Sequence, residues 1–296
     1  IPGIGLNNEY RRFYPEGEAM AHVVGFTNVE DRGQEGMELS RQKELAGHPG
    51  QRRVVVDRLG RVVEEMAILQ LPQNGKDLNL SIDSKIQFLA YNAVKDAVEK
   101  HRAKAGGAVV LDTQTGEILA LANYPSYNPN DRKFLTGEQL RNRVLTDTFE
   151  PGSTMKPLTV AIALEKGVIQ PDTNMVIGAK YLVGPKPITD THPYANLTVA
   201  QIIQKSSNIG TAKIALNSLS AEEMWDFYTA IGFGQSPKIG FPGAVAGTVH
   251  PFKKWMPTDQ ARIAFGYGIS ASLFQVAQAY TVFARDGELV LLTIER

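Results

Sequence analysis

Short β-branched runs separated by turn residues predict two β-hairpins in the first 125 residues. Residues 51–66 (QRRVVVDRLGRVVEEM) hold two such runs on either side of Arg58-Leu59-Gly60. Residues 106–125 (GGAVVLDTQTGEILALANYP) hold strand-like segments at 108–111 and 118–121, around a Thr-Gln-Thr-Gly turn. β-Branched residues favour strands, and a glycine between two such runs favours a tight turn.

Apolar residues at helical spacing predict helices after residue 80. Ser81 or Asp83 is expected to cap the first helix, following a short strand. The apolar face expected for that helix consists of Ile86, Leu89, Ala90 and Val94. Residues 261–287 (ARIAFGYGISASLFQVAQAYTVFARDG) predict a stretch punctuated by glycine and then a mostly apolar helix.

Residues 197–219 (LTVAQIIQKSSNIGTAKIALNSL) are helical in pattern at both ends, with Ser206-Ser207-Asn208 between them. Asn196-Leu197-Thr198 has the form of a glycosylation sequon, but Thr198 is interpreted as the cap of the next helix. The stretch 170–196 before it is expected to be irregular. Strands and helices come first, helices dominate the middle, and little strand follows, so the pattern predicts an α+β fold.

A cluster of turn formers, PQNGKD at 72–77, predicts a domain boundary. Residues 1–76 are polar and rich in turns, and are expected to form one domain. Residues 77–296 are expected to form a second, larger one. A chain of 296 residues with 43% hydrophobic residues is long enough and apolar enough for two folded domains.

Composition removes several classes of function. Lys+Arg and Asp+Glu are equal at 31 each, so no overall charge favours nucleic acid or an anionic membrane. The chain has no cysteine, which excludes disulfides, cysteine-ligated zinc and thiol catalysis. No apolar run reaches the roughly 18 residues that span a bilayer. Four histidines lie at no metal-like spacing, and Trp225 and Trp255 are interpreted as packing residues. No metal or cofactor is therefore indicated; these four of the five histidines are His22, His101, His192 and His250.

The segment 149–167 (FEPGSTMKPLTVAIALEKG) holds a serine and a lysine three residues apart, Ser153 and Lys156. On a helix these positions share a face, with Cβ atoms about 5–6 Å apart. A buried lysine with a lowered pKa can accept the proton of a serine hydroxyl, and a helix N-terminus stabilises negative charge beside it. Alternatively, Ser153 is only a helix cap after Pro-Gly, because a lone S-x-x-K pattern is common by chance.

Ser206-Ser207-Asn208 begins 53 residues after Ser153 (206 minus 153) and interrupts an apolar helical pattern. It is either a turn or cap between two helices or a second part of the site. In the second interpretation, Ser206 relays a proton to or from Lys156, and the Asn208 amide bonds the lysine and a substrate carbonyl. Polar groups in an apolar setting need partners, and these groups could partner each other.

The pair of motifs S-x-x-K and S-x-N resembles the pair that characterises the penicillin-binding proteins and serine β-lactamases. The similarity to class B penicillin-binding transpeptidases extends over nearly the whole chain. It is carried by RNRVLTDTFEPGSTMKP, TGEILALANYPSYNPN, IQKSSNIG and FGYGISASLFQVAQAYTVFARDG, and by RRFYPEG, AHVVGF and GQEGMELS near the N-terminus. The resemblance implies a penicillin-binding transpeptidase domain, an antiparallel sheet with a helical subdomain, preceded by a mixed pedestal domain.

The resemblance also implies function. Ser153, Lys156, Ser206 and Asn208 would be catalytic, and Glu150 and Tyr267 would line the substrate cleft. The substrates would be peptidoglycan stem peptides, with β-lactam antibiotics as inhibitors. Glu150 is typical of the cell-division (septal) branch. Membrane-bound division proteins, including a glycosyltransferase, would be partners, and the enzyme would lie on the periplasmic face of the inner membrane, held by an N-terminal anchor.

The Lys-Ser/Thr-Gly motif of the family is absent, and only 88 residues follow Asn208 (296 minus 208). The chain is therefore expected to be an incomplete transpeptidase domain, poorly soluble or partly disordered at the site and slow to acylate. A class A β-lactamase is disfavoured, because no deacylating glutamate is marked and an N-terminal module is present. A D,D-carboxypeptidase and a non-catalytic penicillin-binding sensor or scaffold remain alternatives.

Overall fold

The structure is a computed structural model that describes residues 11–296; the first ten residues of the predicted N-terminal domain lie outside the described part. Its α-helices are α1 (Ala21–Val24), α2 (Gly36–Ser40), α3 (Gln42–Leu45), α4 (Ser84–His101), α5 (Gly137–Leu140), α6 (Arg143–Thr146), α7 (Met155–Glu165), α8 (Val199–Gln204), α9 (Asn208–Ser218), α10 (Ala221–Ala230), α11 (Pro257–Ile263) and α12 (Leu273–Tyr280). Single 3-10 turns occupy Gly17–Ala19, Gly152–Thr154, Phe252–Lys254 and Thr281–Ala284.

The strands form antiparallel pairs. They are β1 (Gln51–Val56), β2 (Val62–Gln70), β3 (Gly106–Leu111), β4 (Ile118–Tyr124), β5 (Thr148–Phe149), β6 (Asn174–Gly178), β7 (Tyr181–Leu182), β8 (Pro187–Ile188), β9 (Tyr194–Thr198) and β10 (Ala271–Ser272). The pairs are β1–β2, β3–β4, β5–β10, β6–β9 and β7–β8. The α+β expectation is confirmed, but residues 170–196 hold short strands and are not irregular throughout, so that expectation was wrong in part.

Both predicted hairpins are confirmed, in very different surroundings. The β1–β2 hairpin turns at Gly60, whose φ of 78° is in the left-handed region that glycine favours. Asp57 accepts hydrogen bonds from the backbone N–H groups of Leu59 and Arg61, which fixes the turn. All of β2 is exposed, whereas β4 is almost entirely buried.

Asp83 caps α4, accepting from the N–H groups of Lys85 and Ile86. The predicted apolar face was wrong at Leu89, which is 67% exposed. The buried positions are Gln87, Tyr91 and Val98. Gln87 lies inward because its amide nitrogen donates to two backbone carbonyls and its oxygen accepts the N–H of Leu121, which satisfies backbone groups in the interior.

The segment before β1 packs on the β3–β4 hairpin. Val23 and Met37 share a core cluster with Ile118, Leu121 and Leu145. The backbone carbonyl of Ala19 also accepts a hydrogen bond from the buried side chain of Gln87. The boundary placed by sequence near residues 72–77 stays a prediction.

A second core cluster surrounds α7, α9 and α10. Thr159 of α7 donates to the carbonyl of Ala264 at 2.6 Å, and its hydroxyl lies 2.7 Å from that of Tyr228. These contacts tie α7 to the loop after α11, and so position the residues that precede α7. Among the described residues, no helix combines the length and the apolar character that crossing a bilayer needs.

Candidate active site

Ser153 lies in the 3-10 turn Gly152–Thr154, which runs directly into α7, and it is exposed. The cap position of α7 belongs to Thr154, whose hydroxyl donates backwards to the carbonyl of Pro151 and caps no helical N–H. Ser153 is therefore not the cap of α7, which was its alternative role. Its hydroxyl stands at the N-terminal end of a helix, where partial positive charge favours an oxyanion.

The turn holding Ser153 is locked against the loop after α11. The Gly152 N–H donates to the Gly266 carbonyl at 3.0 Å, and the Gly268 N–H donates to the Glu150 carboxylate at 2.8 Å. Gly266 has a φ of 87°, and a Cβ built there would lie 2.0 Å from the Gly152 carbonyl oxygen. The close approach therefore excludes any side chain at residue 266. Glu150, which was expected to line the substrate cleft, accepts this hydrogen bond from the loop after α11.

Lys156 is only 2% exposed, although its side chain carries an amine. Its Nζ donates to the hydroxyl of Ser206 at 2.8 Å and to the Ser206 carbonyl at 2.5 Å. Burial lowers the pKa of Lys156 from 10.5 to about 8, while the negative charge of Asp190 acts in the opposite direction. With this pKa about one tenth of the amine is neutral at pH 7, far more than for a lysine with an ordinary pKa, and a general base acts in this neutral form.

The two hydrogen bonds to Ser206 leave the nitrogen lone pair of the neutral Lys156 amine unused. A neutral amine has two N–H donors and one lone pair, and Ser206 accepts from both donors. The lone pair remains for the proton of Ser153, which lies one helical turn away. Within residues 11–296 no hydrogen bond joins the Ser153 hydroxyl to Lys156; catalytic hydrogen bonds often form only in the substrate complex.

Ser206 adopts a φ of 54°, an uncommon conformation for a residue with a side chain. It occupies the turn between α8 and α9, where Ser207 acts as the cap by accepting the Gly210 N–H at 2.9 Å. The two roles considered from sequence are therefore divided between adjacent residues. Ser207 caps the helix, and Ser206 is left to contact the lysine. Backbone strain of this kind is concentrated at functional sites.

Asp190 was missed by sequence reasoning. Its carboxylate accepts from the Ser207 hydroxyl at 2.6 Å and from the Ile209 N–H at 3.0 Å, so it holds the start of α9. An anion at a helix N-terminus is stabilised by the helix dipole. The residue lies in a polar stretch between short strands, and nothing in its local sequence distinguishes it from a solvated aspartate.

Asn208 makes a different contact from the one expected. It is the first residue of α9, and its side-chain amide donates to the Thr189 carbonyl at 3.1 Å. Among residues 11–296 it forms no hydrogen bond with Lys156. The structure thus joins Lys156 with Ser206, whereas Asn208 bonds the loop between β8 and β9, which also carries Asp190.

Other predicted residues are less central. Tyr267 lines a cavity beside the Ser153 turn, together with Trp255 and Gly268. Trp225 packs against Phe252, in agreement with its expected packing role. Buried His22 lies 2.8 Å from the Gln139 carbonyl through Nε2. In the described range, no group of three or more His, Asp or Glu side chains is placed to hold a metal ion.

Comparison with known families gives two matches. The penicillin binding protein transpeptidase domain matches residues 106–296, and the penicillin-binding protein dimerisation domain matches residues 1–80. The chain belongs to the penicillin-binding protein transpeptidase family, and the dimerisation domain at its N-terminus is that of the class B members. The family resemblance found in the sequence motifs is therefore confirmed, as is the fold that it implied.

Relatives with curated names support this assignment. The probable peptidoglycan D,D-transpeptidase PenA of Neisseria gonorrhoeae is 46% identical over all of this chain and 52% of its own length. The peptidoglycan D,D-transpeptidase FtsI of Escherichia coli strain K12 is 40% identical over 97% of this chain and 48% of its own length. The chain spans about half the length of these relatives.

Solved structures agree with the fold. The transpeptidase domain of penicillin-binding protein 3 from Burkholderia pseudomallei is 51% identical, with a TM-score of 0.67 over 74% of this chain and 61% of that one. A peptidoglycan glycosyltransferase structure from Burkholderia ambifaria is also 51% identical, with a TM-score of 0.68 over 74% of this chain and 65% of that one.

Proposed function

We propose that the protein containing this chain is a serine-type peptidoglycan D,D-transpeptidase. The observation that carries the proposal is the buried amine of Lys156, which donates to Ser206 and lies one turn from the exposed hydroxyl of Ser153. The relatives named as D,D-transpeptidases support the same reaction. No step of the reaction needs a metal or a cofactor.

In the acylation step, the Ser153 oxygen attacks the carbonyl carbon of the penultimate D-Ala of a stem peptide. The serine proton passes to the free lone pair of Lys156. The tetrahedral intermediate then collapses, the bond to the nitrogen of the terminal D-Ala breaks, and a proton from the Lys156–Ser206 pair moves to that nitrogen. Free D-Ala leaves, and the peptide remains as an ester on Ser153.

In the second step, an amine of another stem peptide attacks the ester. Lys156 accepts a proton from that amine, the ester bond to Ser153 breaks, and the serine oxygen regains a proton. The product is a peptide cross-link. Water in place of the amine would give a carboxypeptidase product, so the ratio of cross-linked to hydrolysed peptide distinguishes the two acceptors.

A β-lactam tests the nucleophile directly, because its leaving group stays tethered and the ester accumulates. The protein encoded by the complete reading frame is treated with penicillin, and its intact mass should increase by the mass of one penicillin. Ser153→Ala should abolish the adduct, whereas Thr154→Ala, which removes the neighbouring hydroxyl, should retain it. An adduct that persists in Ser153→Ala contradicts the assignment.

The setting that we propose is the periplasmic face of the bacterial inner membrane during septum synthesis. The sequence Phe149-Glu150-Pro151-Gly152-Ser153 and the relative named FtsI support the septal branch. Its partners would be membrane-bound division proteins, including a glycosyltransferase. An N-terminal anchor would hold the protein at the membrane. Depletion in the native organism should leave filaments that do not divide; rounded cells would instead indicate the elongation branch.

A further inference from the structure

A cavity of about 350 Å³ lies beside the turn that holds Ser153. It is formed by the 3-10 turn Phe252–Lys254, helix α11 and the loop that follows α11. The residues that line it are His250, Lys254, Trp255, Asp259, Arg262, Ile263, Tyr267 and Gly268. Two aromatic rings and two permanent cations therefore face one concave space.

The charges of the cavity are unequal. Lys254 and Arg262 form no salt bridge with any carboxylate in residues 11–296. Asp259 accepts the Met256 N–H at 2.9 Å, so its carboxylate is engaged at the start of α11. With His250 counted as neutral, two positive charges and one negative charge leave a net charge of +1, which matches one carboxylate better than a doubly charged phosphate.

The cavity is joined to the candidate nucleophile by backbone. Tyr267 follows Gly266, and Ser153 follows Gly152; the Gly152 N–H donates to the Gly266 carbonyl at 3.0 Å. Bond lengths and Cα spacings limit the distance between the Cα atoms of Ser153 and Tyr267 to about 15 Å. An extended peptide of roughly four or five residues covers that distance.

We propose that this cavity binds a carboxylate carried by the donor stem peptide away from its scissile D-Ala-D-Ala end. Arg262 and Lys254 would bind the carboxylate, and Trp255 and Tyr267 would contact the aliphatic part of the same peptide residue. The proposal rests on the proposed D,D-transpeptidase function, and it names a specificity site for that reaction.

The test uses two synthetic donor peptides that end in D-Ala-D-Ala and differ only in one side chain, which carries either a free carboxylate or its amide. The second-order rate of Ser153 acylation is measured for each, and the ratio of the two rates gives the discrimination. We expect the free carboxylate to react faster. Arg262→Gln and Lys254→Gln should each reduce the ratio about five- to tenfold, the contribution of one partly exposed charge-assisted hydrogen bond.

Lys253→Gln is the matched control. Lys253 is adjacent to Lys254, but its Nζ lies over the Phe252 ring at 5.9 Å and it does not line the cavity. This variant should keep the ratio of the unaltered protein. If all three variants lower the ratio alike, the effect is a general loss of surface charge and the proposal is wrong.

Penicillin acylation of the unaltered protein distinguishes failure of the cavity proposal from failure of the proposed function. If penicillin acylates Ser153 but the donors react equally, or Arg262→Gln and Lys254→Gln keep the ratio, the cavity proposal alone fails. If neither penicillin nor either donor acylates the protein, the proposed function fails and the cavity proposal fails with it.

Discussion

The ε-amine of Lys156 has to give up its proton to serve as the base, and this requirement separates lysine from arginine. Arginine would keep a positive charge near Ser206 but stays protonated at any ordinary pH. Lys156→Arg is expected to lower the rate of penicillin acylation by about 10²–10⁴-fold, the usual loss on removing a general base. The rate is followed by mass spectrometry on the protein encoded by the complete reading frame.

Because Lys156 is buried, a larger side chain there could also disturb packing. Lys156→Met, which has a similar shape without an amine, serves as the control, and thermal unfolding is measured for both variants. If both variants fold but only the methionine variant is slow, Lys156 supplies charge rather than proton transfer, and its role as base is wrong.

The lowered pKa of Lys156 gives a pH dependence with a definite sign. The free amine is the active form, so the acylation rate should rise about tenfold per pH unit below pH 8 and level off above it. Asp190 raises this pKa, so Asp190→Asn should move the midpoint to lower pH. The profile of acylation rate against pH measures both, and an unchanged midpoint in Asp190→Asn excludes electrostatic coupling between the two residues.

At the residue level, the sequence predicted the contact between Lys156 and Ser206 because short motifs fix the residue types at a site. It could not predict Asp190 or the bond from Asn208 to Thr189. Both depend on where the loop before β9 crosses the start of α9, and that crossing is set by tertiary packing. Ser207 as cap and Ser206 in a left-handed conformation also required the structure.

At the level of elements, the Ser153 turn depends on one close backbone approach. Gly266→Ala would bring a Cβ within 2.0 Å of the Gly152 carbonyl oxygen and disrupt the hydrogen bond between these residues. We expect reduced stability together with acylation lowered by roughly 10²-fold, since displacement of a reacting group by about 1 Å has that effect. Chemical denaturation and penicillin acylation measure the two consequences.

Gly268→Ala is the matched control for this prediction. Gly268 has nearly the same backbone conformation, with φ of 81° against 87°, but the nearest atom to its Cβ would be 3.7 Å away. It should therefore show only the cost of a side chain in the left-handed region, about 1 kcal/mol. Equal losses in the two variants would show that conformation, and not the approach to Gly152, is limiting.

Helices and strands were predicted best where the spacing of apolar residues agrees with the residue types found at turns and helix caps. The two hairpins and the caps at Asp83 and Thr198 follow from β-branched runs and short polar side chains. The face of α4 was predicted wrongly at Leu89 because only apolar residues were assigned to the buried face. Gln87 faces inward to bond backbone groups, and Leu89 is left outside. Hydrophobic pattern alone does not carry that information.

At the level of the whole molecule, the β1–β2 hairpin and the β3–β4 hairpin lie in opposite environments. β4 is buried between α4 and the residues near the C-terminus, whereas β2 exposes apolar side chains that include Val63 and Ile68. A two-stranded hairpin without a packed face is marginally stable in water. Within residues 11–296, β1 and β2 pair only with each other, so each has an unpaired outer edge.

We therefore expect the 296-residue chain to unfold in two parts. Backbone amides of residues 51–70 should exchange with deuterium much faster than those of β4, because their hydrogen bonds open without disturbing the core. Ile68→Lys should change the free energy of unfolding by no more than about 0.5 kcal/mol and reduce self-association, since a lysine protects a strand edge. Leu145→Ala, in contrast, removes a fully buried side chain and should cost about 2–5 kcal/mol. If the β1–β2 amides are protected as strongly as those of β4, the hairpin is packed in solution and its independence from the core is wrong.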